Sequence, residues 1–502
     1  MAIRHYVLLA TDGFIKLPTE NTLCPLPDTR QDLYVFGFVG GLYQVTENGC
    51  VTYENKNLDW KNPDNFTYLK SLTGTATIPS PVMWADVGDR LYVTLINLGM
   101  PTSGLEDPHT IHLHGAHVAT QLDGFPETSF SVPMWMEETV PPTATYYFYP
   151  EHPGTYMYHC HVEASEHVQM GMYGALVIYP SVDSLAMAGI TRNCCGWWEY
   201  EGMVQKQIPR CSSHRNFAYN NIGTYFDKEY IMLLSDIDLK WHQTVQTTQQ
   251  TGISFNASTF QPNFWLVNGR AFPDTLKPHP LTYGEGENEN LTQLNYESYV
   301  HVATDQKFLL RMINMGYQVV PWHIHGWHFN VIGKDAHASP FLAFADAIHV
   351  HGHEYMDMGF TCTIGSGETY DLLLMADNKK PLYGNYIFNG QDEIPSLCSQ
   401  MDELAQIDPA LIADIPTDPV LCGDVKTVNY VELCGKGEFF PQFYPMHNHD
   451  DYKVTNTNTL EEPNFSVYPG GQLTFIQTDA PPEDGHHCGC CGKHHIEIEE
   501  ME

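Results

Sequence analysis

Basic residues are scarce in this chain. Lysine and arginine together number 24 against 60 aspartates and glutamates in 502 residues, a formal net charge of −36. A surface of that sign repels nucleic acid and attracts cations, and a solubility or salt adaptation gives the same balance. Long hydrophobic runs are also missing, with none approaching the roughly 20 residues a membrane helix needs. The opening MAIRHYVLLATDGFIKLP is interrupted by Asp12 and Lys16. It has neither the apolar core nor the small-residue cleavage site of a secretory signal. The expectation is a soluble chain without an export address, cytoplasmic or surface-associated by another route. Cysteines are not absent, but the 13 present are odd in number and widely scattered. That spacing excludes the disulfide framework of a small secreted domain.

Helical periodicity is scarce as well. Short alternating or apolar runs bounded by Gly, Pro, Asn and Asp take its place, such as RLYVTLINLG (90–99), TYYFYP (145–150) and GALVIYP (174–180). With 43% apolar and 12% aromatic residues, this is the pattern of an all-β protein built from β-sandwich domains. The length exceeds one ordinary core, so two domains are expected. An internal repeat agrees: RLYVTLINLG returns as KFLLRMINMG (307–316), and each copy is followed by a His-x-His-Gly, in TIHLHGAH (110–117) and PWHIHGWH (321–328). Domain 1 is expected over 1–182, a Cys- and Trp-containing linker over 183–225, and domain 2 over 226–480 with an acidic insertion near 391–440. A His- and Cys-rich acidic tail follows over 481–502.

The richest stretch is TYMYHCHVEASEHVQMGMYGALVIY, residues 155–179. Read as a strand, it alternates faces, so His159 and His161 point one way and Cys160 the other. One strand can thereby feed two metal sites. Cys160, two histidines and a weak axial methionine make the His₂Cys site that suits copper electron transfer. His167 supplies one imidazole, His109 in EDPHTIHLHG offers the second, and Met172 the thioether, with Met170 as the rival axial ligand. The remaining histidines pair as His112/His114, His159/His161, His323/His325 and His447/His449. Eight imidazoles alone do not name a metal, but their coincidence with the thiol favours copper.

These motifs resemble those of the multicopper oxidases, in particular the two-domain, small-laccase type. HTIHLHG matches the family's His-x-x-His-x-His-Gly, HCHVEASEHVQMGM its Cys-centred motif and WHIHGWH its His-x-His-Gly. YPMHNHDDYKVTNTNT resembles the remaining His-x-His motif. The resemblance spans roughly residues 90–180 and 300–475. It implies two cupredoxin-like Greek-key β-sandwich domains, assembled as a cyclic homotrimer in which domain 1 of one subunit meets domain 2 of the next. It also implies four coppers per subunit, with O2 and a small reducing substrate or metal ion as reaction partners. Type 1 copper would fall to His109, Cys160, His167 and Met172, and type 2 copper to His112 and His323. The type 3 pair would fall to His114, His159, His161, His325, His447 and His449. Electrons would pass from Cys160 to His159 or His161. Domain 2 has Val320 where domain 1 has His109, so only domain 1 should carry type 1 copper.

The chain departs from the family pattern in three places. The Cys-to-His interval is two residues longer than usual, with Ser165 at the usual ligand position. His447 lies far beyond His325. A further cluster in IHVHGHEYMDM (348–358), with His349, His351 and His353, is a rival for the fourth pair, but its short distance from His325 favours an accessory metal site or a polar surface loop. Glu163 and Glu166 flank His167, either as a cation-docking edge or as a solvated loop. Met134, Met136 and Met157 are expected in the core. Two other functions remain open at this level: a copper nitrite reductase and a non-catalytic copper-binding protein.

Overall fold

The computed structural model describes residues 1–19, 30–136, 139–276, 296–340, 342, 358–407, 434–457 and 466–481. The 348–357 part of the extra His cluster, the 482–502 tail and residues 408–433 of the expected insertion lie outside the described residues. Two β-sandwiches account for most of the strands. In the first, one sheet orders Cys50–Tyr53, Arg30–Glu47, Ala2–Pro18, Arg90–Asn97 and Ala144–Phe148. It faces a sheet of Ser80–Asp86, Tyr173–Tyr179, Gly154–His159 and His112–His114. The period-2 runs read from the sequence become these strands because inward residues such as Leu91, Val93 and Leu95 fill one cluster with Tyr158, Leu176 and Ile178.

The second sandwich repeats the plan between residues 228 and 479. Lys307–Asn314, the repeat of Arg90–Asn97, runs parallel to Lys228–Ile237 and antiparallel to Thr369–Met375. Its counterpart likewise runs parallel to Ala2–Pro18 and antiparallel to Ala144–Phe148. The facing sheet carries Val300–Ala303, Leu473–Asp479, Gln442–Asn448, Val320–Ile324 and Thr361–Ile364. A small three-stranded sheet over Ile190–Arg192, Trp198–Tyr200 and Met203–Val204 occupies the expected linker. Two helices, Lys380–Phe388 and Leu397–Ile407, follow the Thr369–Met375 strand, and a Cys398–Cys434 disulfide ties down the second. This insertion is what separates His447 from His325 in the chain.

A third apolar cluster joins the sandwiches, with Met157, Tyr173 and Val177 from the first against Leu233, Leu309 and Leu373 from the second. At its margin the fully buried Arg311 pairs with Glu229 at 2.6 Å and donates to Thr155 Oγ1 at 3.0 Å. Thr155 lies on the strand that ends at His159, so this network ties that strand of the first sandwich to the second. Met157 is buried and Met134 is half-buried, but Met136 is 69% exposed rather than in the core. Its neighbour Trp135 turns inward, donating its backbone N–H to the Asn97 carbonyl, and that sends Met136 outward.

Candidate metal centres

The strand Gly154–His159 ends where the two sets of ligands diverge. Cys160 donates its backbone N–H to the Met172 carbonyl at 3.1 Å, continuing the register in which His159 opposes Tyr173. Cys160 and Met172 are therefore cross-strand neighbours on one face. Both are fully buried in the same apolar cluster, as is Met170. Cys160 Sγ lies 3.3 Å from His167 Nδ1 and 3.7 Å from His109 Nδ1. The backbone of His109 is held by reciprocal bonds with Val132.

The two extra residues before His167 are absorbed by a short helix, Ala164–Met170, which starts from Glu163 in the left-handed region (φ 41°). The helix leaves Ser165 exposed and turns His167 inward. Gly171 ends it at φ 115°, where a Cβ would meet Ile78 Cγ2 at 2.1 Å and the Phe36 carbonyl at 2.9 Å. No other residue fits there.

Burial keeps this trio uncharged. It pushes the Cys160 thiol up to about 11 and His167 down to about 4. His109 falls well below its usual value, first by burial and then by the neighbouring His167. Two imidazole nitrogens and one thiol converging within 4.8 Å in an apolar setting is a donor set that fits a copper ion, which would draw off the thiol proton. The Nε2 atoms of His109 and His167 are buried without hydrogen-bond partners.

On the other side of the strand, His112, His114, His159 and His161 form a cluster. The rings of His112 lie 5.1 Å from His159 and 5.3 Å from His161, and His114 lies 5.6 Å from His159. A carbonyl can only accept, so His112 donates through Nδ1 to the Asp123 carbonyl (2.7 Å) and His159 through Nδ1 to the Cys160 carbonyl (2.9 Å). Both rings thereby keep Nε2 for a metal, that of His159 lying 3.4 Å from His114 Nδ1. Burial, more than its histidine neighbours, lowers His159 to about 3.

The second sandwich repeats the arrangement in detail. His323 opposes His447 just as His112 opposes His159. His323 Nδ1 donates to the Phe360 carbonyl (2.7 Å) and His447 Nδ1 to the Asn448 carbonyl (2.8 Å). His325 Nε2 lies 3.1 Å from His447 Nε2, and the His449 ring is 5.1 Å from that of His323. The structure thus brings His447 and His449 to His323 and His325 across the long insertion. Asn448 stands where Cys160 stands in the first sandwich, bonded to Gln472 at 2.8 Å. Among the described residues, no ring contact joins the first four histidines to the second four. His325 and His449 are exposed.

Sequence reasoning missed the supporting partners. The Asp123 and Phe360 carbonyls lie in loops far along the chain and carry no side-chain signature. Thr110, whose Oγ1 accepts the His161 N–H at 2.9 Å, is hidden inside the motif itself. Asp450 and Asp451, adjoining His449, divide their roles. Asp450 pairs with Lys453 at 2.9 Å and Asp451 approaches His447 Nδ1 at 4.0 Å.

The buried imidazoles predict an acid limit for the copper-free protein. His5 and His242 are lowered to about 4 by burial, alongside His159 and His167. Below the unfolded value of 6.5 the unfolded chain binds protons that the folded chain refuses. Stability is thus fully present above pH 6.5 and is lost as pH falls toward 4 and 3. The melting temperature of the copper-free chain, followed from pH 7.5 to 4, should fall steadily below 6.5. A flat profile would mean these rings are not buried neutral.

Residues 55–182 match the model of a family described as multicopper oxidase. A comparison with curated proteins finds no match. Among solved structures, the blue copper oxidase from Nitrosomonas europaea is 20% identical over 95% of this chain and 86% of its own, with a TM-score of 0.50. The multicopper oxidase mgLAC is 17% identical over 97% and 89%, with a TM-score of 0.49. A copper nitrite reductase from Nitrosomonas europaea is 14% identical over 75% and 85%, at 0.40. The first of these likenesses shows a shared all-β, cupredoxin-like fold.

Proposed function

We propose that this chain, a two-domain protein of multicopper oxidase type, takes single electrons from a reductant at a type 1 copper and delivers them to O2 at a trinuclear copper cluster. The observation that carries this reading is the divergence at one strand end. Cys160 joins His109 and His167 on one side, while the adjoining His159 joins His112, His114 and His161 on the other. Copper in these two sets would supply one-electron oxidation of the donor and four-electron reduction of O2 to two waters. The chain's own part is to hold the ligands. His109, Cys160, His167 and Met172 would bind the type 1 ion in a dry pocket. His112 and His323 would bind the type 2 ion, and His114, His159, His161, His325, His447 and His449 the type 3 pair. The Asp123, Cys160, Phe360 and Asn448 carbonyls fix the tautomers of four of these rings.

The separation of the two four-histidine sets within one chain supports a cyclic homotrimer, in which each set faces its complement on a neighbour. Easily oxidised donors suit an axial methionine: phenols, aromatic amines or low-valent metal ions. Copper quantitation with oxygen uptake tests the proposal. Four coppers per subunit and O2 consumption are expected. Two coppers with nitrite reduction, or copper binding without O2 uptake, would overturn it.

The register also favours Met172 over Met170 as the axial ligand. Met172 faces Cys160 across the strands, whereas Met170 ends the helix. Met172→Leu should raise the reduction potential of the blue centre, and Met170→Leu should leave it nearly unchanged, as read by redox titration. The reverse order would make Met170 the axial residue.

A further inference from the structure

The ligand nearest the expected point of electron entry is sealed from solvent. His167 is 0% exposed, and so is His109. The Phe36 ring packs edge-on against His167 at 5.8 Å, and beside Glu166 lies a segment of the second sandwich inserted between the strands Lys228–Ile237 and Phe264–Val267, whose main element is the helix Leu239–Thr251. Trp241 on this helix is itself only 2% exposed and belongs to the same apolar cluster as Cys160, Met170 and Met172. Its Nε1 reaches Glu166 Oε2, next in sequence to His167, at 3.5 Å. Phe255 stacks on the outer side of Trp241 at 4.6 Å, and Phe260 and Tyr317 close in at 6.2 and 6.5 Å.

One bond from this segment and two from residues beside it hold the second sandwich to the first here. His242 Nδ1 donates to the Tyr34 carbonyl at 2.6 Å. Gln169 Nε2 donates to the Asp236 carbonyl at 2.9 Å, and the Tyr317 hydroxyl to the Ser165 carbonyl at 2.5 Å. Asp238 caps the helix and also accepts from Gln261 N–H at 2.7 Å, holding both ends of the insertion together. These anchors make the segment a packed wall, held at its base and against the first sandwich.

We infer that the 238–263 insertion is a cap that denies reductants contact with His167. Phenolic donors then dock on its outer face, against the aromatic rings of Phe255, Phe260 and Tyr317, and give up electrons across the Trp241 layer. Each donor would lose one electron, a phenol also releasing its hydroxyl proton to solvent, and that electron would reduce a copper(II) ion held by His109, Cys160 and His167 to copper(I). Trp241 is a positioning residue in this account. It selects against donors that need direct contact and leaves outer-sphere donors to react across the layer. The inference rests on the type 1 assignment proposed above.

Two readouts test it on the full-length chain. In the copper-free protein, diethyl pyrocarbonate should leave His167 unmodified in the wild type and modify it in Trp241→Ala, as read by peptide mass spectrometry. In the copper-loaded protein, anaerobic bleaching of the blue band by 2,6-dimethoxyphenol should speed up on the order of tenfold in Trp241→Ala. Bleaching by hexaammineruthenium(II), an outer-sphere donor, should barely move, and the reduction potential should be unchanged. Trp241→Phe should behave as wild type in both assays. If Trp241→Ala fails to fold, Trp241→Val, which opens the same layer by less, is read the same way. Wild-type His167 reacting as fast as the variant, or phenol bleaching no faster once His167 is open, would overturn the cap. A wild type without any blue band would sink the type 1 assignment instead, and the modification assay would still decide the cap.

Discussion

His447→Ala is expected to abolish oxygen consumption while leaving the blue absorption intact. His447 sits at the centre of the second histidine set, with His325 Nε2 3.1 Å away and its own Nδ1 locked to the Asn448 carbonyl. Alanine would remove a proposed ligand outright. Loss of a mere supporting partner of a ligand already costs about 10–100-fold in metal affinity or activity, so oxygen uptake should fall by more than about 100-fold. Copper per subunit should fall with it. The thiol set is built on the other sandwich from His109, Cys160 and His167, and no ring contact among the described residues links it to His447. Its spectrum should therefore survive. Loss of the blue band with oxygen uptake preserved would show that the two sets are assigned the wrong way round.

Arg311→Met should produce the largest loss of stability. The Arg311 guanidinium is fully buried, 2.6 Å from Glu229 and 3.6 Å from Asp371. It also donates to Thr155 Oγ1, which in turn donates to Asp371 at 2.5 Å. Methionine fills similar volume but leaves two largely buried carboxylates facing each other without a cation. Breaking a buried ion pair on one side typically costs about 3–5 kcal/mol. Denaturant unfolding at pH 7 should show a loss of that order. Thr155 is on the strand leading to His159 and Cys160, so the variant should also bind copper more weakly. A change within about 1 kcal/mol would mean that the carboxylates are compensated some other way. Arg311→Lys should fall between the two, since an ammonium restores charge without the forked geometry.

Much of the candidate site was legible because strand periodicity is simple. Alternation alone sends Cys160 one way and His159 and His161 the other, and four His-x-His units separated by repeats of one plan announce paired half-sites. The recurrence of RLYVTLINLG as KFLLRMINMG becomes two strands in equivalent places, each with one parallel and one antiparallel neighbour. Other features rest on contacts across long separations. The sequence left Met170 and Met172 as rivals, and a cross-strand hydrogen bond is what sets Met172 opposite Cys160. The two extra residues before His167 looked like a misfit until the helix Ala164–Met170 coiled them up. Asn448 gave no hint that it stands in the place of Cys160, because that equivalence exists only in the register of two sheets.

By itself, the amino-acid sequence determined the all-β class, the duplicated plan and the pairing of ligand types, since each follows from local alternation and composition. Only the tertiary structure decided which histidines share a cluster, which carbonyls fix their tautomers, and that Trp241 reaches Glu166 beside His167. Those outcomes depend on which loops and insertions pack together, and residues such as Trp241 and Glu166, or His323 and Phe360, meet only after the chain has folded back on itself.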